Sequence, residues 1–312
     1  MHFSFYTLLF FSCLSGLTLV AGHGFVHEVD VGGQTYPGWN PSVDNYSGAV
    51  PGVVRKVASD GPVVDFTGAN ISCNVGGSDP GTKVAEVSSG SPITFDWSYW
   101  PSDHQGPVTT YMASCGGDCT TFNADNARWF KIDAMGYQDG QWAANKLITN
   151  NASWTSTIPA GLAPGQYLAR HEIIALHSNP AQYYPSCSQL KVTGSGTGQP
   201  SDSDLVSMPD VYSNVQYPDI YTDSPAQMQA FVVPGPPIVT FDGTAPASNS
   251  PEPSLSSNSS STATAATASS DNGTTMIPQT SYPTPMPSSA PSSSCSLGSR
   301  KLIRRRSLVK RH

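Results

Sequence analysis

The sequence predicts an all-β protein, an antiparallel β-sandwich or barrel with long loops and a disordered C-terminal tail. Three observations lead there: short alternating or β-branched runs recur, clusters of Gly, Pro, Asn and Asp separate them, and helical periodicity is scarce. The strand candidates are GFVHEVDV, SPITFDWSYW, RWFKIDAMGY, QYLARHEIIALHS and SQLKVTGSG. Residues 23–242 are long enough for one large sandwich or two small domains.

The segment YLARHEIIAL is the most ambiguous of these candidates. Its alternate positions contrast only partly in polarity, so a buried helical turn is an alternative. We interpret it as a strand.

The N-terminus predicts a secretory signal over residues 1–22. An apolar stretch runs from Phe3 to Val20, and small residues end at Gly22, although the preceding region carries only His2 where Lys or Arg is usual. A membrane anchor is the alternative, but the run is short and no charged residues stop it. We expect no membrane span, an extracellular protein, and a mature chain that begins at His23.

A secreted chain can form disulfides and carry glycans. Four cysteines lie in the body, Cys13 would leave with the signal, and Cys295 lies in the tail. The possible N-glycan acceptors are Asn45, Asn70 and Asn151, each followed by the required serine two residues later.

The charge of the body excludes anionic partners. Residues 23–242 carry 8 Lys or Arg against 20 Asp or Glu, a net charge of −12. Nucleic acids and anionic membranes need clustered cations, so neither is expected to bind. A neutral polysaccharide is compatible with this surface.

The composition changes after residue 242. Residues 243–299 are mostly Ser, Thr, Ala and Pro, which predicts a disordered, O-glycosylated linker. Residues 300–312 form a basic tail to which we assign no role; a polyanion-binding arm, a processed end and an error in the gene sequence are all open.

The predicted cleavage point gives His23 a special chemistry. An N-terminal histidine offers its α-amine and its ring Nδ1 to one metal, and the chelate ring makes the second bond cost little entropy. One further imidazole would complete a T-shaped site of three nitrogens. Planar nitrogen ligands favour copper, which also heads the divalent affinity series.

The ordered motifs of the body resemble those of the fungal lytic polysaccharide monooxygenases of auxiliary activity family 9, formerly glycoside hydrolase family 61. These motifs are HGFV at residue 23, DHQGPVTTYMASCGGDC, IPAGLAPGQYLAR, RHEIIALHS, AQYYPSC and VVPGPP. The resemblance spans residues 23 to about 242. It implies an immunoglobulin or fibronectin III-like sandwich and a single copper ion as cofactor.

The resemblance also implies roles for single residues. His23 and His104 would hold the copper, with the Tyr184 hydroxyl at the axial position. Gln182 would point the same way as Tyr184 if the segment is a strand, and would help bind oxygen. His23, His104 and Tyr184 are thus the predicted metal ligands, and Tyr184 also belongs to the predicted catalytic group with Gln182 and a histidine.

Two histidines compete for that catalytic role near the oxygen. His171 and His177 would face the same way on one strand, so their spacing cannot separate them. We predict His171, because the RHE context matches the family, and we interpret His177 as structural. His27 is expected to be a surface or packing residue.

Further implications concern disulfides, substrate and reaction. Cys73 would pair with Cys187 across the sandwich, and Cys115 with Cys119. Tyr212 and Tyr221, with Tyr217 as a further candidate, would stack on sugar rings from an exposed loop. A monomer would cleave β-1,4-glucan such as cellulose at carbon 1 or carbon 4. It would use dioxygen or hydrogen peroxide and an external reductant, either a small molecule or a cellobiose dehydrogenase-like protein.

Two other classes of function remain open at this point. A glycoside hydrolase needs a carboxylate pair at a defined separation, and the sequence singles out none. A non-catalytic copper-binding or cell-wall-binding sandwich is the other; the presence of both Gln182 and Tyr184 favours an enzyme.

Overall fold

The computed structural model describes residues 23–241. The predicted signal, the linker, the basic tail and Cys295 lie outside the described residues. The described part forms a β-sandwich of two sheets, as the sequence predicts. Its strands are β1 Val26–Val31, β2 Gln34–Pro37, β3 Ala85–Ser88, β4 Pro92–Trp97, β5 Val108–Ser114, β6 Phe130–Met135, β7 Tyr137–Gln138, β8 Gln141–Trp142, β9 Ser153–Thr157, β10 Gly165–Ala175 and β11 Gln182–Thr193.

The smaller sheet has the strand order β2-β1-β4-β9, and all of its neighbours are antiparallel. Val29 of β1 lies opposite Phe95 of β4, and both side chains are buried. Alternate residues of β1 are exposed or half-buried, which is the pattern of a sheet with one face in a core.

The larger sheet has the order β3-β11-β10-β5-β6. The prediction of strand for YLARHEIIAL is confirmed, because β10 pairs along its whole length with β11. One pair departs from the antiparallel prediction: β3 runs parallel to β11. Strands β7 and β8 form a separate hairpin.

Short helices lie in the connections. They are α1 Asp44–Ser47, α2 Ala143–Thr149, α3 Met208–Val211 and α4 Pro225–Gln229, with single 3₁₀ turns at Ala69–Ile71, Cys119–Thr121 and Asp202–Asp204. At the start of α4, Ser224 and Gln227 form a reciprocal capping box, and Pro225 occupies the first turn. No helix within residues 23–241 is long and apolar enough to cross a membrane.

Two apolar clusters hold these layers together. The first fills the space between the sheets and includes Phe95 from the smaller sheet and Ile173 from the larger one. The second covers the outer face of the larger sheet, where loops pack over Leu168 and Tyr183. Burial of this apolar surface is the main favourable contribution to folding. Because both faces of β10 and β11 are covered, these strands show almost unbroken burial.

Both predicted disulfide pairs are confirmed, Cys73 with Cys187 and Cys115 with Cys119. Cys73 lies in a turn within the loop layer, so the long-range bond fastens that layer to β11. The pairing is therefore as predicted, but the expectation that it crosses the sandwich to the other sheet is wrong. It joins residues 114 apart, and in the chain-entropy view closing such a loop stabilises the fold by roughly 4–5 kcal/mol.

The topology brings four strand ends together at one end of the sandwich. The start of β1 pairs with the end of β4, and the end of β10 pairs with the start of β11. The loop from β4 to β5 passes between the two sheets there. The residues that the sequence analysis singled out as metal ligands lie at this end.

Candidate metal centre

His23 lies three residues before the start of β1 and is half-buried at this end of the sandwich. Gly24 next to it is buried, and a side chain there would collide with the carbonyl oxygen of Tyr99. The segment before β1 can therefore lie against the β4–β5 loop only because residue 24 is glycine. The His23 ring stands 5.2 Å from the His104 ring, edge to face, and 5.8 Å from the Tyr184 ring, measured between centroids.

His104 lies on the β4–β5 loop and is buried. Its Nδ1 is 2.9 Å from Oδ1 of Asp103. The indole Nε1 of Trp100 donates to the His104 backbone carbonyl at 2.9 Å and fixes the loop beneath the ring. The Nε2 of His104 is buried and has no hydrogen-bond partner among the described residues. A buried ring nitrogen with a free lone pair fits a metal ligand, since an unpaired buried polar atom is otherwise costly.

Gln182 and Tyr184 point to the same side of β11, as predicted for alternate strand residues. The Tyr184 hydroxyl donates to the Gln182 side-chain oxygen at 2.6 Å. Its ring packs edge-on against Trp100, with centroids 4.9 Å apart. Burial raises the pKa of Tyr184, so the group facing the histidines is a neutral phenol. A neutral phenol is a weak metal ligand, so Tyr184 would hold a metal less strongly than the histidines.

His177 belongs to this site, although the sequence analysis interpreted it as structural. Strand β10 ends at Ala175, so His177 follows in the turn beyond it. Its ring stacks on the ring of His104, with centroids 3.7 Å apart. Partial burial and the neighbouring His104 lower its pKa, and its Nδ1 has no hydrogen-bond partner among the described residues.

The prediction that His171 lies beside the metal is wrong. His171 is fully buried between the two sheets, stacked on Phe95 at 4.3 Å, with its Nδ1 3.1 Å from the Thr110 hydroxyl. The aromatic contacts lead from His171 to His104 only through the rings of Trp97 and Trp100. Burial, assisted by the charge of Arg170, lowers the pKa of His171 to about 3. It is a neutral core residue.

The prediction that Tyr212 stacks on sugar is also wrong. Tyr212 is only 3% exposed, and its hydroxyl donates to Glu172 at 2.6 Å and accepts from Arg170 at 3.0 Å. The hydroxyl completes the buried ion pair between Arg170 and Glu172, whose nitrogen and oxygen are 2.7 Å apart. Tyr217 is half-buried and its hydroxyl bonds to that of Tyr183.

Tyr221 does lie on the surface that borders the site. It is 71% exposed, and its hydroxyl donates to the backbone carbonyl of His177 at 3.5 Å. Two other exposed tyrosines escaped the sequence analysis: Tyr99, whose backbone contacts Gly24, and Tyr46 on α1. Nothing in the sequence distinguishes them from buried tyrosines, because exposure is a property of the folded loops.

Asp103 is the polar residue at the site that the sequence analysis missed. Its carboxylate is largely exposed and its pKa lies below the usual value, first because of the hydrogen bond with His104. An acidic residue directly before a candidate ligand histidine was the signal that could have revealed it.

The candidate glycosylation residues and His27 lie outside the group of residues described above. Asn45 is half-buried, and its amide is held between the Ala58 carbonyl and the Trp39 indole, whereas Asn70 and Asn151 are exposed. Glycosylation stays a prediction at all three. His27 is half-buried on β1 and belongs to no site we describe.

The donor set fits a copper site of the N-terminal kind. No three His, Cys, Asp or Glu side chains of residues 23–241 come together as metal ligands. Two imidazoles, one with a free buried nitrogen, and a phenol do converge where the processed chain would add its amine. A site completed by an amine does not need a third such side chain.

Known proteins are similar to this chain in sequence and in fold. Residues 23–230 match Auxiliary Activity family 9, formerly GH61. The AA9 family lytic polysaccharide monooxygenase A of Gloeophyllum trabeum is 41% identical over 244 residues, covering 74% of this chain and 76% of that protein. The crystal structure of HiLPMO9B matches with a TM-score of 0.63 at 38% identity, over 70% of this chain and 100% of that one. A cellulose-active polysaccharide monooxygenase from M. thermophila gives 0.61 at 34% identity, over 70% and 99%.

Fold, site and relatives together define a copper-dependent polysaccharide monooxygenase, an oxidoreductase that works with an external reductant. The chain belongs to auxiliary activity family 9, the lytic polysaccharide monooxygenases. The hydrolase and the non-catalytic alternatives are therefore set aside.

Proposed function

We propose that the protein is secreted, begins at His23 after processing, and oxidatively cleaves β-1,4-glucan chains such as cellulose at carbon 1, carbon 4 or both. The observation that carries the proposal is the free, buried Nε2 of His104, whose ring stands 5.2 Å from that of His23. A start at His23 agrees with the first residue of the family match.

We assign the ligands as follows. His23 contributes its α-amine and Nδ1, and His104 contributes Nε2. The phenol of Tyr184 would face the metal as a weaker ligand and would stay protonated, because burial raises its pKa. Copper, when bound, supplies the one-electron chemistry that activates dioxygen or hydrogen peroxide.

In this proposal Gln182 and His177 interact with the oxygen species, Gln182 as a hydrogen-bond donor and His177 through a proton. The Gln182 side-chain oxygen is occupied by the Tyr184 hydroxyl, so its amide nitrogen remains as a donor. His177 replaces His171 as the residue that holds or moves a proton, because it stacks on a proposed ligand and keeps an unpaired Nδ1. Stacking also restricts its ring, which orients any hydrogen bond that it makes.

The substrate assignment rests on the surface around these residues. Tyr221 is exposed beside His177 and offers an aromatic face to a sugar ring. A site that opens on the surface suits a polymer too large for a pocket, and an acidic body does not repel a neutral glucan. The cellulose-active relative from M. thermophila supports this substrate class.

The oligomeric state, the roles of the other segments and the electron donor are also proposed. We propose a monomer, with residues 1–22 as signal, 23–242 as the catalytic domain, 243–299 as linker and 300–312 as a basic tail. The electron donor would be a small molecule or a cellobiose dehydrogenase-like protein.

Product analysis tests the proposal. Secreted protein is loaded with copper, supplied with ascorbate and incubated with cellulose, and the released oligosaccharides are identified by mass. We expect aldonic acids or 4-ketoaldoses, and none when copper is removed by chelation. Unoxidised oligosaccharides released without ascorbate or copper would contradict it.

A further inference from the structure

Asp103 and His104 are adjacent in sequence and bonded through their side chains. Oδ1 of Asp103 is 2.9 Å from Nδ1 of His104. It is the sole partner that the described residues provide for this ring nitrogen, and the other one, Nε2, has none. The two nitrogens of one ring therefore have opposite surroundings.

This difference decides which tautomer the ring adopts. A neutral imidazole carries one proton, and a carboxylate only accepts hydrogen bonds. The proton is stable on Nδ1, where it is donated to Asp103, and the lone pair then lies on Nε2. A carboxylate behind a ligand histidine also makes the imidazole a stronger base, and so a better donor to a metal.

The rest of the surroundings holds the ring but does not choose its tautomer. His177 covers one face at 3.7 Å, and Trp100 holds the backbone carbonyl of His104 at 2.9 Å. Neither contact involves Nδ1 or Nε2. Asp103 itself is 70% exposed, so its hydrogen bond to His104 contributes little to folding, and its main effect is on the ring of His104.

We propose that Asp103 is a positioning residue, which fixes His104 with Nδ1 protonated and Nε2 free and thereby strengthens Cu(II) binding over Cu(I). The proposal rests on the assignment of His104 Nε2 as a copper ligand. The harder, more charged Cu(II) gains more from a basic imidazole than Cu(I) does, so Asp103 holds the reduction potential down.

The test compares Asp103→Ala and Asp103→Asn with the wild type, and with Asp125→Asn as a surface control that removes the same charge. Asp125 is exposed and its side chain makes no hydrogen bond in the described part of the chain. Three quantities are measured on the full processed protein: the ring ¹⁵N shifts of His104 without metal, the Kd for Cu(II) by competition, and the reduction potential.

We expect Asp103→Ala to lose the Nδ1–H preference of His104 and to bind Cu(II) about 10- to 100-fold more weakly. Each tenfold loss of Cu(II) affinity beyond that of Cu(I) raises the potential by about 59 mV. Asp103→Asn keeps an acceptor but no charge, so it should keep the tautomer and show a smaller rise. Asp125→Asn should match the wild type.

Unchanged ¹⁵N shifts, Kd and potential in Asp103→Ala would overturn the proposal, because water would then serve Nδ1 equally well. His104→Ala separates this failure from that of the proposed function. If His104→Ala abolishes tight Cu(II) binding while Asp103→Ala does not alter it, only the role of Asp103 is wrong. If the wild type and His104→Ala bind Cu(II) alike, the ligand assignment itself is wrong.

Discussion

The imidazole of His177 lies stacked on that of His104, with ring centroids 3.7 Å apart. His171, six residues earlier, is buried between the sheets. The two histidines share one segment of sequence but have different surroundings, because β10 ends between them at Ala175. Their substitution should therefore have different consequences.

We expect His177→Ala to keep copper affinity nearly intact and to lose about 10- to 100-fold in oxidative turnover, as changes around a metal ligand commonly do. His171→Ala should instead lower the free energy of unfolding by about 2–4 kcal/mol through the cavity it leaves in the core. The measurements are oxidised oligosaccharide release, copper titration and urea unfolding. Full turnover in His177→Ala together with a stable but inactive His171→Ala would reverse the assignment.

Gln182 is proposed to donate a hydrogen bond to the oxygen species and not to bind the copper. Gln182→Ala should leave the Kd for Cu(II) within a few-fold of wild type, yet reduce turnover about 10- to 100-fold. Gln34→Ala, an exposed glutamine on β2, is the control and should alter neither. A large loss of copper affinity in Gln182→Ala would mean that this side chain organises the ligands themselves.

Tyr212 and Tyr221 make a contrasting pair. Tyr212→Phe removes a buried hydroxyl from Arg170 and Glu172, which should cost about 1–3 kcal/mol of folding free energy without changing cellulose binding. Tyr221→Ala should weaken binding to cellulose and leave stability unchanged, since its ring is 71% exposed. Urea unfolding and cellulose pull-down check both. Weaker cellulose binding in Tyr212→Phe than in Tyr221→Ala would contradict this assignment of the two tyrosines.

Lys131 should make stability depend on pH. It is buried without a carboxylate partner in the described residues, and burial lowers its pKa to about 8. The unfolded chain holds this proton up to the ordinary value of 10.5, so Lys131 destabilises the folded state below pH 8, and this cost falls as the pH rises from 8 to 9.

Urea unfolding at pH 7, 8 and 9 measures this effect. Closer to pH 10 the buried tyrosines oppose it, because burial raises the pKa of Tyr183 to about 12 and the unfolded chain loses that proton first. Lys131→Met should abolish the rise, whereas the control Lys191→Met, at an exposed ion pair with Glu86, should retain it. Equal slopes in Lys131→Met and wild type would show that another group titrates.

The sequence predicted the features that depend on short-range patterns. The alternation of apolar residues predicted the sandwich, and β11 places Gln182 and Tyr184 on one side because strand residues alternate. The disulfide pairs came from resemblance and are present.

The predictions for the histidines and for Tyr212 were wrong because three-dimensional packing determines where these side chains lie. Whether a strand ends before or after His177 depends on the turn that follows it, and alternation alone put both histidines on one face. Tyr212 was expected at the surface because the sequence pattern places its loop outside the core. Instead its hydroxyl forms hydrogen bonds with both members of a buried Arg170–Glu172 pair, which the sequence does not reveal. The link between Asp103 and His104 depends on the rotamers of two neighbouring side chains.

The most direct test of the central claim is a Cu(II) titration monitored by paramagnetic resonance, on protein that begins at His23 and on the same protein extended by one alanine. We expect one tight site with an axial signal and nitrogen coupling in the first, and sharply weaker binding in the second, because the extension removes the α-amine from the histidine. Equal affinity in the two proteins would show that the amine is not a ligand and that the proposed copper site is wrong.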